Sequence, residues 1–177
     1  MQSEEVAALL TIETIEAMKS VRTYAGRSSA GEAVHENLLV DELSSNLFKL
    51  RASPGLVLGL AKGDVFKLDA KAEPVVIQRG GNIAIQIYQK KGAANQHRKI
   101  EETILDSLSS SSLDGITEQQ LVFTVPASEG FPKIEGILNA LVSDYPGYEW
   151  YFGNVYEPAD GITPLNWWRA RGREKEG

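Results

Sequence analysis

The spacing of apolar residues changes once along this chain of 177 residues, and that change limits the folds open to it. In QRGGNIAIQIYQ, Ile83, Ile85 and Ile87 alternate with Ala84, Gln86 and Tyr88, the two-residue step that turns one face of a strand toward a core. After His97 the step lengthens to helical spacing. In RKIEETILDSLSS, Ile100, Ile104, Leu105 and Leu108 fall within an arc of roughly 140°. In FPKIEGILNALVSDY, Phe131, Ile134, Ile137, Leu138, Leu141, Val142 and Tyr145 do the same, and Pro132 suits the first helical turn, where its missing N–H costs nothing. Two helices, each with one apolar stripe, therefore sit among strands that need covering.

The segments around them complete the pattern. LDGITEQQLVFTVPA predicts a short strand near 113 to 117 and a longer one at 120 to 125. Pro146-Gly147 stops the second helix, and YEWYFGNVY resumes as a strand. Residues 82 to 157 thus give β-α-β-β-α-β, the split arrangement of a ferredoxin-like sandwich. Before them, ENLLVDEL, LFKLRAS, DVFKLD and PVVIQR predict four short strands over residues 36 to 81, a small curled sheet or partial barrel. Gly80-Gly81 has the composition of a tight hairpin turn between two strands. Residues 1 to 35 read as an extra N-terminal helix, over 4 to 19, followed by a small, polar linker at 24 to 33. Residues 158 to 177 read as an irregular C-terminal tail, pinned if at all by Trp167 and Trp168. The class is α+β.

Composition removes several chemistries. Without cysteine there are no disulfides, thiolate metal sites or thiol nucleophiles. The two histidines, His35 in a linker-like stretch and His97 before a helix, have no HxH or HExxH partner, so they are expected to be solvated and no metal site is predicted. The serine runs lack a GxSxG frame, and the glycines at 55, 59 and 63 form neither a P-loop nor a GxGxxG turn, so no cofactor is predicted. Asp64, in GLAKGDVFKLD, has no second carboxylate or histidine near it in sequence and reads as a turn residue. The net charge of −6 disfavours nucleic acid as a partner. The acidic N-terminus is unlike a signal peptide, and no run approaches a membrane span, so a cytoplasmic location is expected.

The opening β segment, the GLAKGDVFKLD turn, the PVVIQRGGNIAIQIY hairpin, the LVFTVPA strand ending at proline and the aromatic YEWYFG close together resemble one bacterial family, the domain of unknown function numbered 4265, from about residue 36 to 156. The resemblance implies the fold and carries no activity. The N-terminal helix and the loose spacing at 109 to 118 depart from the family's pattern.

With no catalytic set, the expected function is binding rather than catalysis. Two groups of residues suit an interface with a protein partner. Glu36, Asp41 and Glu42, with Glu101, Glu102 and Asp106, either form solvated faces or steer a basic partner. Tyr151 faces away from Tyr148, Trp150 and Phe152 on the last strand, and Trp167 and Trp168 stand in a polar tail, where aromatics serve either core or interface. The acidic charge and the family resemblance suggest an immunity-type protein that captures a basic toxin domain. The alternative is a small-molecule or regulatory domain using the open face of the ferredoxin-like sheet. Nothing in the residues sets an oligomeric state.

Overall fold

The computed structural model describes residues 18–169. Among these, nine strands form two antiparallel sheets, with order β1-β2-β3-β4-β5 in the first and β7-β8-β6-β9 in the second. The first sheet contains β1 (Met18–Arg27), β2 (Ala33–Ser44), β3 (Leu47–Leu50), β4 (Val65–Leu68) and β5 (Pro74–Gln78). It is a meander, each strand pairing with the next.

β1 corrects the reading of residues 24 to 33 as a linker. The small residues there shape a hairpin instead: Gly26 (φ +113°) sits at a bulge, and Gly31 (φ +82°) lies in the turn closed by Ser28 N–H to the Glu32 carbonyl. Of the predicted N-terminal helix, residues 4 to 17 lie outside the described residues, while Met18 and Lys19 belong to β1. The sheet curls until the Tyr24 N–H reaches the Ala72 carbonyl in the β4–β5 turn at 2.9 Å, yet β1 and β5 do not pair, so the barrel stays open. Leu38, Val40, Phe48, Leu50 and Phe66 fill its concave side together with Val57 and Leu60 from the loop at 51–64.

The second sheet follows the predicted β-α-β-β-α-β order: β6 (Asn82–Gln89), α1 (His97–Ser107), β7 (Ser112–Ile116), β8 (Gln120–Pro126), α2 (Phe131–Asp144) and β9 (Tyr148–Phe152). A short 3-10 helix, Ala127–Glu129, leads into α2. Both helices lay their apolar stripes on one face. Ile100, Ile104, Ile134, Leu138 and Leu141 pack there on Ile83, Ile85, Ile87, Leu121, Phe123 and Val125, all essentially inaccessible. Removing each such side chain from water stabilises the fold by about 1.5–3 kcal/mol.

Two expectations change here. β6 is buried on both faces, because Ala84 and Gln86, which alternate with the isoleucines, lie under other chain segments. Gln86 Nε2 donates to the Pro54 carbonyl, and Ala84 N–H to Asn154 Oδ1. The face expected to be open is thus largely closed by the 51–64 loop and residues 153–155. Gly80-Gly81 is also not a hairpin turn, since β5 and β6 belong to different sheets. It is a crossing, and Gly80 is demanded by contact: a Cβ there would stand 2.5 Å from the Gly63 carbonyl carbon.

The described part of the tail folds back. Tyr156 bridges to Pro164, Asp160 accepts from the Ile162 and Thr163 N–H groups, and Trp167 Nε1 donates to the Asn154 carbonyl. Trp167 and Trp168 pack against the second core, with Trp168 edge-on to Phe131. No helix among the described residues is long and apolar enough to cross a membrane.

Candidate functional site

Asp64 is fully buried and its oxygens are occupied. Oδ2 accepts from Ala61 N–H and Arg79 Nη1, both at 3.0 Å, and Oδ1 from Gly80 N–H at 2.8 Å. Burial pushes its carboxyl above the usual aspartate value, against the pull of those donors. The side chain ties the turn at 61–64 to the crossing between sheets, and this is structural work.

A second buried polar group escaped sequence analysis. Ser53, Asp114 and Thr124 converge from the 51–64 loop, β7 and β8. Asp114 Oδ2 accepts from Ser53 N–H at 2.8 Å and from the Thr124 hydroxyl at 2.5 Å, and the Ser53 and Thr124 hydroxyls lie 2.6 Å apart. A serine near a carboxylate resembles a nucleophile, but here Ser53 Oγ also accepts from Lys62 N–H, and the group fastens the loop to the sheet. His97 likewise corrects the expectation of solvation. It is buried at the start of α1, its Nε2 3.0 Å from the Thr117 carbonyl and its Nδ1 2.7 Å from the Tyr148 hydroxyl. A carbonyl only accepts, so Nε2 carries the proton and Nδ1 accepts from Tyr148. Among the described residues, no cluster of three or more His, Asp or Glu side chains is arranged to hold a metal ion.

The acidic residues singled out in the sequence are not brought together. Glu36, on β2, turns inward: its carboxylate accepts from three successive N–H groups, Gly55, Leu56 and Val57, at 2.8–2.9 Å. It holds a loop. Asp41 pairs with Arg51 at 2.9 Å, and Glu42 with Lys19. Glu101, Glu102 and Asp106 ride on α1, on the far side of the second sheet from the 51–64 loop, and Glu102 pairs with Arg98. Trp167 and Trp168 pack on the core, with Arg79 stacked 5.6 Å above Trp167.

Tyr151 is different. It is 50% exposed on β9, an edge strand of the second sheet, and forms one wall of a groove of about 540 Å³. Leu56 and Leu58 stand on the opposite wall, presented by the loop that Glu36 holds, and are 49% and 41% exposed. Tyr88 makes the floor, edge-on to Tyr151 at 5.9 Å, and Tyr156 closes one end. Glu135 and Glu157 line the same groove. A smaller hollow of about 370 Å³ lies along the same strand, lined by Lys90, Val142, Pro146 and residues Tyr148 to Tyr151. Burial, then the charge of Glu36, raises the Tyr88 phenol above its ordinary value, while a hydrogen bond to Glu149 raises that of Tyr151. Both phenols therefore stay neutral in neutral water, and with the Tyr88 hydroxyl directed at the Gly55 carbonyl and Gln86 Oε1 they offer chiefly ring surface. Apart from Tyr151, these residues were not singled out as a site, because the loop, β6, β9 and the tail that supply them are far apart in the chain.

A crystal structure of a hypothetical protein from Neisseria gonorrhoeae is similar in fold, with a TM-score of 0.57 at 16% identity, the match covering 77% of this chain and 93% of that one. No curated protein matches the sequence. The family model for a domain of unknown function, DUF4265, matches residues 36–145, more than half of the chain, and the chain belongs to that family.

Proposed function

We propose that this chain is a non-catalytic protein-binding module, and that its partner docks in the groove beside β9. One observation carries the reading: Leu56, Leu58, Tyr151 and Tyr156 stand exposed around a single concavity whose walls include Glu135 and Glu157. Exposed apolar and aromatic side chains gathered in this way mark interaction sites more often than scattered ones do. The acidic residues at the groove and the net charge of −6 favour a basic partner. The buried polar groups that resemble catalytic ones are engaged in holding loops. An immunity-type protein that covers a basic toxin domain is the specific case we favour.

The test is co-expression with the product of the neighbouring open reading frame. A stable complex that Tyr151→Ala and Tyr156→Ala weaken, with protection from toxicity, is the expected result. No complex, or one indifferent to both substitutions, overturns the reading.

We read β6 to β9 with α1 and α2 as a ferredoxin-like sandwich, supported by the strand order and the two helices on one face. A second reading, a small-molecule or regulatory domain, draws on a cleft of about 640 Å³ between the unpaired edges of the first sheet, lined by Tyr24, Val57, Val76, Glu73 and Arg79 among others. A thermal-shift screen tests it, since a true ligand raises the melting temperature as its concentration passes Kd and a flat response refutes it.

A further inference from the structure

The backbone of β9 carries information that its side chains do not. Lys90 N–H donates to the Gly147 carbonyl and Gly153 N–H to the Ala84 carbonyl, which fixes the alternation between them. With Gln86 opposite Tyr151 and Tyr88 opposite Glu149, the backbone groups of Glu149 and Tyr151 face β6. Those of Trp150 and Phe152 therefore face outward, and neither has a backbone partner among the described residues.

The other sheet edges are blunted. β1 carries a bulge at Tyr24/Gly26, β5 opens with Pro74, and β7 is bulged between Leu113 and Gly115. β9 is in unbroken register over Tyr148–Phe152 and reads YEWYF, with one charge and no proline or glycine. Hollows flank this edge, one reaching Glu135, Tyr151 and Glu157 and the other Val142, Glu149 and Trp150.

We infer that β9 receives a partner as an added antiparallel strand whose side chains alternate between basic and apolar. This rests on the binding-module reading and specifies its mode. Strand addition satisfies the free N–H and C=O groups and sets side-chain identity by face. Partner residues on the outer face lie beside Glu149 and Tyr151, where a lysine or arginine gains charge pairing and a ring contact. Those on the helix face lie beside Trp150 and Val142, where an apolar residue fits. Antiparallel addition follows the pairing already present throughout this sheet. A second copy of this chain fits worse, because two groove rims of the same acidic sign, on chains of net charge −6, would meet.

The probe is a capped seven-residue peptide alternating Lys and Val, compared with a block peptide of the same composition. Isothermal titration should show the alternating peptide binding about tenfold tighter. In an antiparallel partner, the residues bonded to Trp150 and Phe152 share their face, so N-methylation of the valine amides should weaken binding about tenfold while methylation of the lysine amides should not. Hydrogen exchange should slow at the Trp150 and Phe152 amides. Indifference to which amides are methylated, with unslowed exchange, overturns strand addition but leaves the groove as a binding site if co-expression still yields a complex that Tyr151→Ala weakens. Equal binding of alternating and block peptides, or no binding of either, also overturns it. Self-association of the protein alone that slows the Trp150 amide makes a second copy the occupant and overturns the basic partner.

Discussion

Replacing Asp64 by Ala should cost about 3–5 kcal/mol of stability. The side chain is fully buried and receives Ala61 N–H, Gly80 N–H and Arg79 Nη1. Alanine strands two backbone donors away from water and removes one partner of a buried ion pair, each loss worth about 1–3 kcal/mol with incomplete additivity. Against a typical total of about 5–15 kcal/mol, the variant is folded marginally or not at all. Asp64→Asn is the milder probe. Its oxygen replaces Oδ2, its amide group opposes Gly80 N–H, and the expected loss is about 1–3 kcal/mol. The pH dependence fixes the sign. Because burial raises the folded carboxyl above its ordinary value of 3.8, the native state holds this proton more tightly than the unfolded chain. The contribution is therefore fully present below that value and declines as pH rises through the folded one. Asp64→Asn has no such proton, so the gap between wild type and variant should narrow as pH rises from about 4 toward neutrality. Urea unfolding followed by tryptophan fluorescence measures both effects. A loss below about 1 kcal/mol for Asp64→Ala, or a gap that widens with pH, refutes the account.

Two glycines offer opposite outcomes. Gly80→Ala drives a methyl to 2.5 Å from backbone that cannot yield and should cost more than about 1–3 kcal/mol, whereas Gly136→Ala, in open space on α2, should stabilise by about 0.4–1 kcal/mol, both read as shifts in melting temperature. His97→Phe leaves the Thr117 carbonyl and the Tyr148 hydroxyl without their shared partner, and chemical denaturation should show a loss of about 1–3 kcal/mol for each group left unsatisfied. Glu36→Ala releases the N–H groups of Gly55, Leu56 and Val57, so limited proteolysis should open at that loop and binding at the groove should weaken with it.

What the sequence revealed followed from local patterning. The arcs on α1 and α2 and the alternation on β6 and β9 belong to short segments, so the order β-α-β-β-α-β was legible from them. The short strand near 113 is β7 at Ser112–Ile116. β1 was missed because Gly26, Ser28, Ser29 and Gly31 suit a bulge and a hairpin turn as well as they suit a linker. The crossing at Gly80 was misread because its reason, contact with Gly63, is tertiary. The site was less visible. Glu36 looks like a surface acid until the 55–57 loop, about 20 positions away, arrives to use it. Ser53 meets Asp114 and Thr124 across 61 and 71 positions, and no motif spacing reports such a contact. Tyr151 was legible because it alternates with three residues that face the other way.

The segment at 51–64 belongs to both halves of the molecule. It lends Val57 and Leu60 to one apolar centre, while Ser53 and Pro54 roof the other sheet. The second sheet loses its roof if the first half melts, and the segment loses its ties to Asp114 and Thr124 if the second does, so heating or denaturant should take the protein apart in one concerted transition, and severing the chain between β5 and β6 should leave two fragments each less stable alone than mixed.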